Sequence, residues 1–217
     1  WKAFRSKHYV FVYNSRQEIA NMVANQIEAI LPHYIERFPP SEPGIVDKIA
    51  PVVRITSELD VYHLYGGPPG SAGYWSPGHE ELVFYDDGSS RADVTLAVLR
   101  HEAFHQYVFY SCGKVAPYSW FNEGYGDYFA GCKLKGGQIV EEPFLWRTSL
   151  IQKNVQAKKH VPLKDIMRFE QQDYYGGKAN IGLCYAEGWS IVYFLNKGPR
   201  SSVAARFKPA WRDILKT

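Results

Sequence analysis

The sequence predicts an α+β fold: a small, mostly antiparallel sheet in a strand-rich part, residues 1–88, and a helical part, residues 89–217, together forming a single domain. Three observations lead to it. Short runs rich in aromatic and β-branched residues (8–13, 49–56 and 81–85) occur in the first part and read as strands. The run 93–112 is apolar nearly all round a helical wheel, the mark of a buried helix. Beyond it, the segments 120–132, 144–157, 163–169 and 185–196 carry helical apolar spacing.

The strand-rich part begins with H-Y-V-F-V-Y at residues 8–13. An amphipathic helix follows over 16–38, with Ile19, Val23, Ile27, Ile30, Leu31, Tyr34 and Phe38 on one side and a bend expected at Pro32. Pro39, Pro40, Pro43 and Gly44 make a loop before the second strand, where Val53 and Ile55 alternate with Arg54 and Thr56. After the Gly/Pro-rich loop 66–70, residues 73–75 and 81–85 can pair as a hairpin across the Pro77-Gly78 turn.

The helical part opens on the run 93–112, where Ser90 and Asp93 have capping-box spacing and Gly113 stands at the expected stop. The next helix, 120–132, holds Gly124, Gly126 and Gly131, and each interior glycine costs about 1 kcal/mol relative to alanine. Close packing against another helix is the reason to accept that cost. Gly136-Gly137 begins a turn or hairpin, residues 173–177 read as a loop, Gly198-Pro199 closes the helix 185–196, and residues 202–216 read as helical with a break at Pro209.

Composition excludes several classes. With 46% apolar and 16% aromatic residues the chain can bury a core, so it is not a disordered protein. The net charge of +3 is spread without a basic stripe, so no nucleic-acid partner is expected. No apolar run reaches membrane-spanning length. The three cysteines, Cys112, Cys132 and Cys184, are odd in number and form no C-x-x-C pair, so they read as small buried apolar residues. The chain starts at Trp1 without Met or a signal pattern, which suits a domain taken from a longer protein; compartment and oligomeric state stay open.

The chemistry concentrates in His101-Glu102-Ala103-Phe104-His105, an H-E-x-x-H motif inside the buried helix. Residues four apart lie on one helix face, about 6 Å apart along the axis, so His101 and His105 can offer two imidazoles to one metal ion. Glu102 is one position round the helix, in reach of water on that metal without being a ligand. Glu123, 18 positions after His105, is the natural third ligand. Asp127 shares its helix face and is placed to accept an N–H from a metal-bound histidine. His8, His33, His63, His79 and His160 match no ligand position, and His63 and His79 read as surface histidines beside the hairpin.

H-E-A-F-H followed by W-F-N-E-G-Y-G-D-Y-F resembles the gluzincin metallopeptidases, which include thermolysin and the aminopeptidase N-like enzymes. The nearest resemblance is to peptidase-MA-like bacterial domains of unknown function, and it extends along the chain from the first strand. The resemblance implies a zincin-like fold with His101, His105 and Glu123 as zinc ligands, Glu102 as general base and acid, and Asp127 as the carboxylate behind the first histidine. It also implies that the strand before the H-E-x-x-H helix belongs at the sheet edge, where an extended peptide can pair. Tyr185-Ala186-Glu187-Gly188-Trp189, 62 positions after Glu123, is similar to the Tyr-x-x-Gly-aromatic segment of the aminopeptidase N-like enzymes, which implies that Tyr185 donates to the oxyanion of the transition state. The G-x-M-E-N segment that holds a free amine in those enzymes is missing here.

The expectation is a zinc-dependent metallopeptidase that hydrolyses bonds in peptide or protein substrates, with Zn2+ as cofactor. As part of a longer bacterial protein it would work in a secreted, periplasmic or cell-envelope setting. The alternatives are a non-cleaving zinc-bearing domain that binds peptides or a partner, and a zinc hydrolase acting on a non-peptide bond. The presence of Glu102 argues against the first, because a silent site needs no base beside its metal.

Overall fold

The computed structural model describes residues 1–88, 92–177 and 179–198. In chain order the elements are β1 (Lys2–Arg5), β2 (Val10–Tyr13), α1 (Gln17–Arg37), α2 (Ile45–Ile49), β3 (Val52–Thr56), α3 (Leu59–Leu64), β4 (Gly73–Ser76), β5 (Glu81–Tyr85) and α4 (Ala92–Ser111). They continue with α5 (Ser119–Ala130), β6 (Lys133–Lys135), β7 (Gln138–Val140), α6 (Leu145–Gln156), α7 (Leu163–Ile166), α8 (Gln171–Tyr175) and α9 (Ile181–Lys197). Among the described residues the chain forms two compact units, one within 1–115 together with 134–140, the other within 116–133 together with 141–198. The first unit keeps α4 with the sheet, against which it packs.

The first unit holds a five-stranded sheet in the order β1-β2-β3-β5-β4. It is mixed, which corrects the expectation of a mostly antiparallel sheet: β1–β2 and β4–β5 are antiparallel, while β2–β3 and β3–β5 are parallel. Parallel neighbours need a crossover of a dozen residues or more. The connections 14–51, with α1 and α2, and 57–80, with α3 and β4, supply two of them. Local signals announce the strands 8–13 and 49–56 as well, but of the pairings in this sheet only that of β4 with β5 is local. The resulting register puts Phe11, Tyr13, Val53, Ile55, Leu82 and Phe84 in one buried set by alternation along each strand.

Helix α1 runs uninterrupted through Pro32 and buries Val23, Ile27, Ile30, Leu31 and Tyr34, the stripe its sequence spacing predicts. Helix α4 packs against α1, β4 and β5. At the edge strand a Cβ on Gly73 would stand 2.4 Å from the Phe84 ring and 2.8 Å from Val98, so only glycine lets β4 lie this close to α4. Its C-terminus is a Schellman motif: Lys114 N–H donates to Phe109 O at 2.7 Å and Gly113 N–H to Tyr110 O at 3.4 Å, with Gly113 at φ +69°. Ser90, the other half of the expected capping box, lies outside the described residues, as does 202–216 with its expected break at Pro209. The β6–β7 pair turns through Gly136 and Gly137, both at positive φ (57° and 80°), as a two-residue hairpin turn requires.

The second unit is helical and centres on α9, which contacts α5, α6, α7 and α8. Asn180 caps α9, its side chain accepting the Leu183 N–H at 3.1 Å, so the helix starts four residues before the expected 185. Gly124 on α5 faces Gly188 on α9: a Cβ at position 124 would meet Gly188 O at 2.5 Å. That is the close helix packing expected of a glycine-bearing α5. The expected loop at 173–177 instead begins inside α8, because Glu170 and Asp173 form a capping box. Cys132 and Cys184 are buried, Cys112 is partly buried, and the three form no disulfide. No helix among the described residues is long and apolar enough to cross a membrane.

Glu187 on α9 is a buried carboxyl with a consequence for stability. Burial raises its pKa, opposed by the Val161 N–H, which donates to Oε1 at 2.9 Å, and by His160. A carboxyl with a raised folded-state pKa binds its proton more tightly when folded. Stability is therefore greatest at low pH and falls as pH rises through the unfolded value of about 4.3 toward the folded one. Glu187→Gln keeps the acceptor for Val161 and is expected to raise Tm at pH 8, with the gain vanishing by about pH 4. Thermal melts at both pH values test this, and equal Tm at pH 8 would show that ionised Glu187 costs nothing.

Candidate functional site

On α4 the helical repeat sets His101 and His105 side by side, their ring centroids 4.6 Å apart and their planes at 84°. His101 is 8% exposed; His105 and Glu102 are half-buried. Two anchors from α1 hold this turn. The Tyr34 hydroxyl donates to the Arg100 carbonyl at 2.7 Å, and Arg100 Nη1 donates to Gln26 Oε1 at 3.1 Å. One turn on, the Tyr107 hydroxyl donates to Phe38 O at 2.5 Å.

Glu102 is positioned by the sheet edge. β4 is an edge strand, and the Tyr85 N–H to Ala72 O bond fixes the alternation of the ladder. By that alternation Trp75 and Leu82 form a pair without mutual hydrogen bonds, so the Trp75 amide points away from β5. Glu102 Oε2 accepts that N–H at 2.9 Å. The Trp75 ring packs on Phe109 and Tyr110 at 5.4 and 5.9 Å, tying β4 to α4. The Tyr74 hydroxyl has a raised pKa, by burial and then by the charge of Glu102.

In the second unit, α5 carries Glu123 and Asp127 on one face, and they are only 3% and 2% exposed. Buried carboxylates need partners. The Tyr175 hydroxyl of α8 donates to Glu123 Oε1 at 2.5 Å. Arg147 of α6 lies with Nε 2.5 Å from Asp127 Oδ2, and its Nη2 donates to Oδ1 at 3.3 Å. The Arg147 guanidinium is itself layered between aromatic rings, 4.4 Å from Trp146 and 4.9 Å from Tyr185. Tyr185 in turn packs 6.4 Å from Tyr175 and 5.9 Å from Tyr174. The Tyr174 hydroxyl is committed to Cys184 O at 2.6 Å, and burial pushes its pKa far above the ordinary range.

Of the residues predicted from sequence, His101, Glu102 and His105 share one stretch of α4 in the first unit. Glu123, Asp127 and Tyr185 share one side-chain cluster in the second. Arg147 and the Trp75 amide were not found from sequence: no spacing rule links an arginine 20 positions downstream to Asp127, or a strand amide to Glu102. Tyr175 falls in the expected loop 173–177, although E-x-x-D at 170–173 signals the helix that presents it. His63 and His79 are exposed and held locally, His63 Nδ1 2.8 Å from Gly67 O and His79 Nδ1 3.0 Å from Ser76 Oγ. His101 and His105 offer imidazole nitrogens and Glu123 a carboxylate, donor types that could hold a metal ion. No protein-family model matches the chain, and no curated protein matches it.

Proposed function

We propose that this protein is a zinc-dependent metallopeptidase of the gluzincin type, with His101, His105 and Glu123 as its zinc ligands. The observation that carries the reading is the arrangement on α4: two imidazoles one helical turn apart, with the Glu102 carboxylate beside them held by the Trp75 amide. The donor chemistry suits zinc, since two imidazoles and one carboxylate leave a fourth position for water. Zinc in such a site supplies Lewis acidity, acidifying water and polarising a carbonyl oxygen.

The chain's own residues do the rest. Glu102 takes a proton from the attacking water and returns it to the leaving amine. Its bond from Trp75 occupies Oε2, which keeps the carboxylate oriented while Oε1 works. Tyr185 donates a hydrogen bond to the carbonyl oxygen as negative charge develops on it. Asp127, paired with Arg147, would accept the N–H of a ligating histidine and so fix its tautomer. The strand directly before α4, β5, is internal to the sheet, and its hairpin partner β4 holds the edge, where it offers a backbone along which an extended peptide can lie.

Elemental analysis tests the metal. Protein loaded with zinc and then dialysed is expected to retain close to one equivalent per chain, and His105→Ala is expected to lose it. Full retention by His105→Ala, or no zinc in the parent protein, would overturn the ligand assignment. Cleavage of a peptide library by the zinc-loaded protein separates the peptidase from a silent zinc domain.

A further inference from the structure

We infer that Tyr175 is the positioning residue of the Glu123 carboxylate: its hydroxyl donates to Oε1 and so sets the carboxylate's orientation. The inference rests on the zinc reading above and adds to it a residue outside the H-E-x-x-H…E pattern. The Tyr175 hydroxyl lies within hydrogen-bond distance of Glu123 Oε1, at 2.5 Å. Glu123 is 3% exposed, so water contributes little to orienting it. A carboxylate presents two oxygens and about four lone-pair positions, and can bind a cation through one oxygen or both.

The phenol is held in place from several sides. Its ring packs against Tyr174 at 5.5 Å and against Tyr185 at 6.4 Å. The neighbouring Tyr174 is anchored to α9 through Cys184 O, and α8 is closed at its start by the Glu170–Asp173 capping box. Tyr175 is 39% exposed, but its hydroxyl is turned inward onto a buried acceptor. It therefore orients Glu123 before any ion arrives, which reduces the ordering needed on binding.

The test is zinc affinity, measured by chelator competition on the whole chain. Tyr175→Phe keeps the ring and deletes only the hydroxyl; it is expected to weaken zinc binding by about 10–100-fold with little change in Tm. Tyr118→Phe, at an exposed tyrosine of the same unit, is expected to leave affinity unchanged. In a Glu123→Gln background, adding Tyr175→Phe is expected to change affinity little, because the carboxylate it serves is gone. Unchanged affinity in Tyr175→Phe, with Glu123→Ala losing zinc, would overturn the inference and leave the zinc reading standing. Additive losses in the double variant would likewise overturn it. A parent protein that binds no zinc would remove both.

Discussion

Glu102→Gln is expected to keep both fold and zinc while lowering turnover of a cleaved peptide by about 10²–10⁴-fold. Glutamine retains a carbonyl oxygen that can accept the Trp75 N–H, so the tie between β4 and α4 persists. It has no basicity and cannot take a proton from water. The magnitudes separate the two contributions. An N–H bond to a carboxylate contributes about 1.5–3 kcal/mol, and glutamine keeps roughly half of it as a neutral acceptor, so the part lost is about a factor of ten in rate at most. A hundredfold loss needs about 2.7 kcal/mol, which loss of orientation through that one bond does not supply. Zinc content and cleavage measured on the same sample decide the matter. An unchanged rate with full zinc would exclude Glu102 as the base.

Gly124→Leu is expected to destabilise the protein, although helix propensity alone predicts the opposite. Leucine is the better helix former by a little under 1 kcal/mol. Even its first carbon has no room, because a Cβ at position 124 would stand 2.5 Å from Gly188 O and 2.8 Å from Val192 Cγ2. The nearer neighbour is backbone and cannot rotate aside, so α5 must move off α9. Overpacking of this kind costs about 3 kcal/mol or more when several carbons are added. The net loss should exceed about 2 kcal/mol, lowering Tm by at least about 5 °C. Because Glu123 and Asp127 ride on α5, zinc affinity should fall as well. A rise in Tm would show that α5 and α9 are not in contact at these glycines.

What could be read along the chain was what depends on local period. The run 93–112 predicted α4 to within a residue at each end, and its 3.6-residue turn alone puts His101 beside His105. Gly136-Gly137 announced a two-residue turn, and 73–75 with 81–85 announced the β4–β5 hairpin, because both are closed by neighbours in sequence. β1 was missed for the complementary reason. K-A-F-R is mostly exposed and carries no alternation, and it becomes a strand only by pairing with β2.

The sequence by itself determined which residues are candidates for chemistry: H-E-x-x-H on a buried helix, and Glu123 with Asp127 one turn apart on another. Tertiary structure alone decided what holds each of them. Parallel pairing of β2, β3 and β5 follows from where the crossovers return the chain, a global property. Trp75 reaches Glu102 from 27 positions away, Arg147 reaches Asp127 from 20, and Tyr175 reaches Glu123 from 52. A buried carboxylate must find a donor, but its sequence neighbours lie on the same helix and their amides are already used in that helix. The donor therefore comes from whichever element packs alongside: β4 for Glu102, and α6 and α8, both packed on α9, for Asp127 and Glu123.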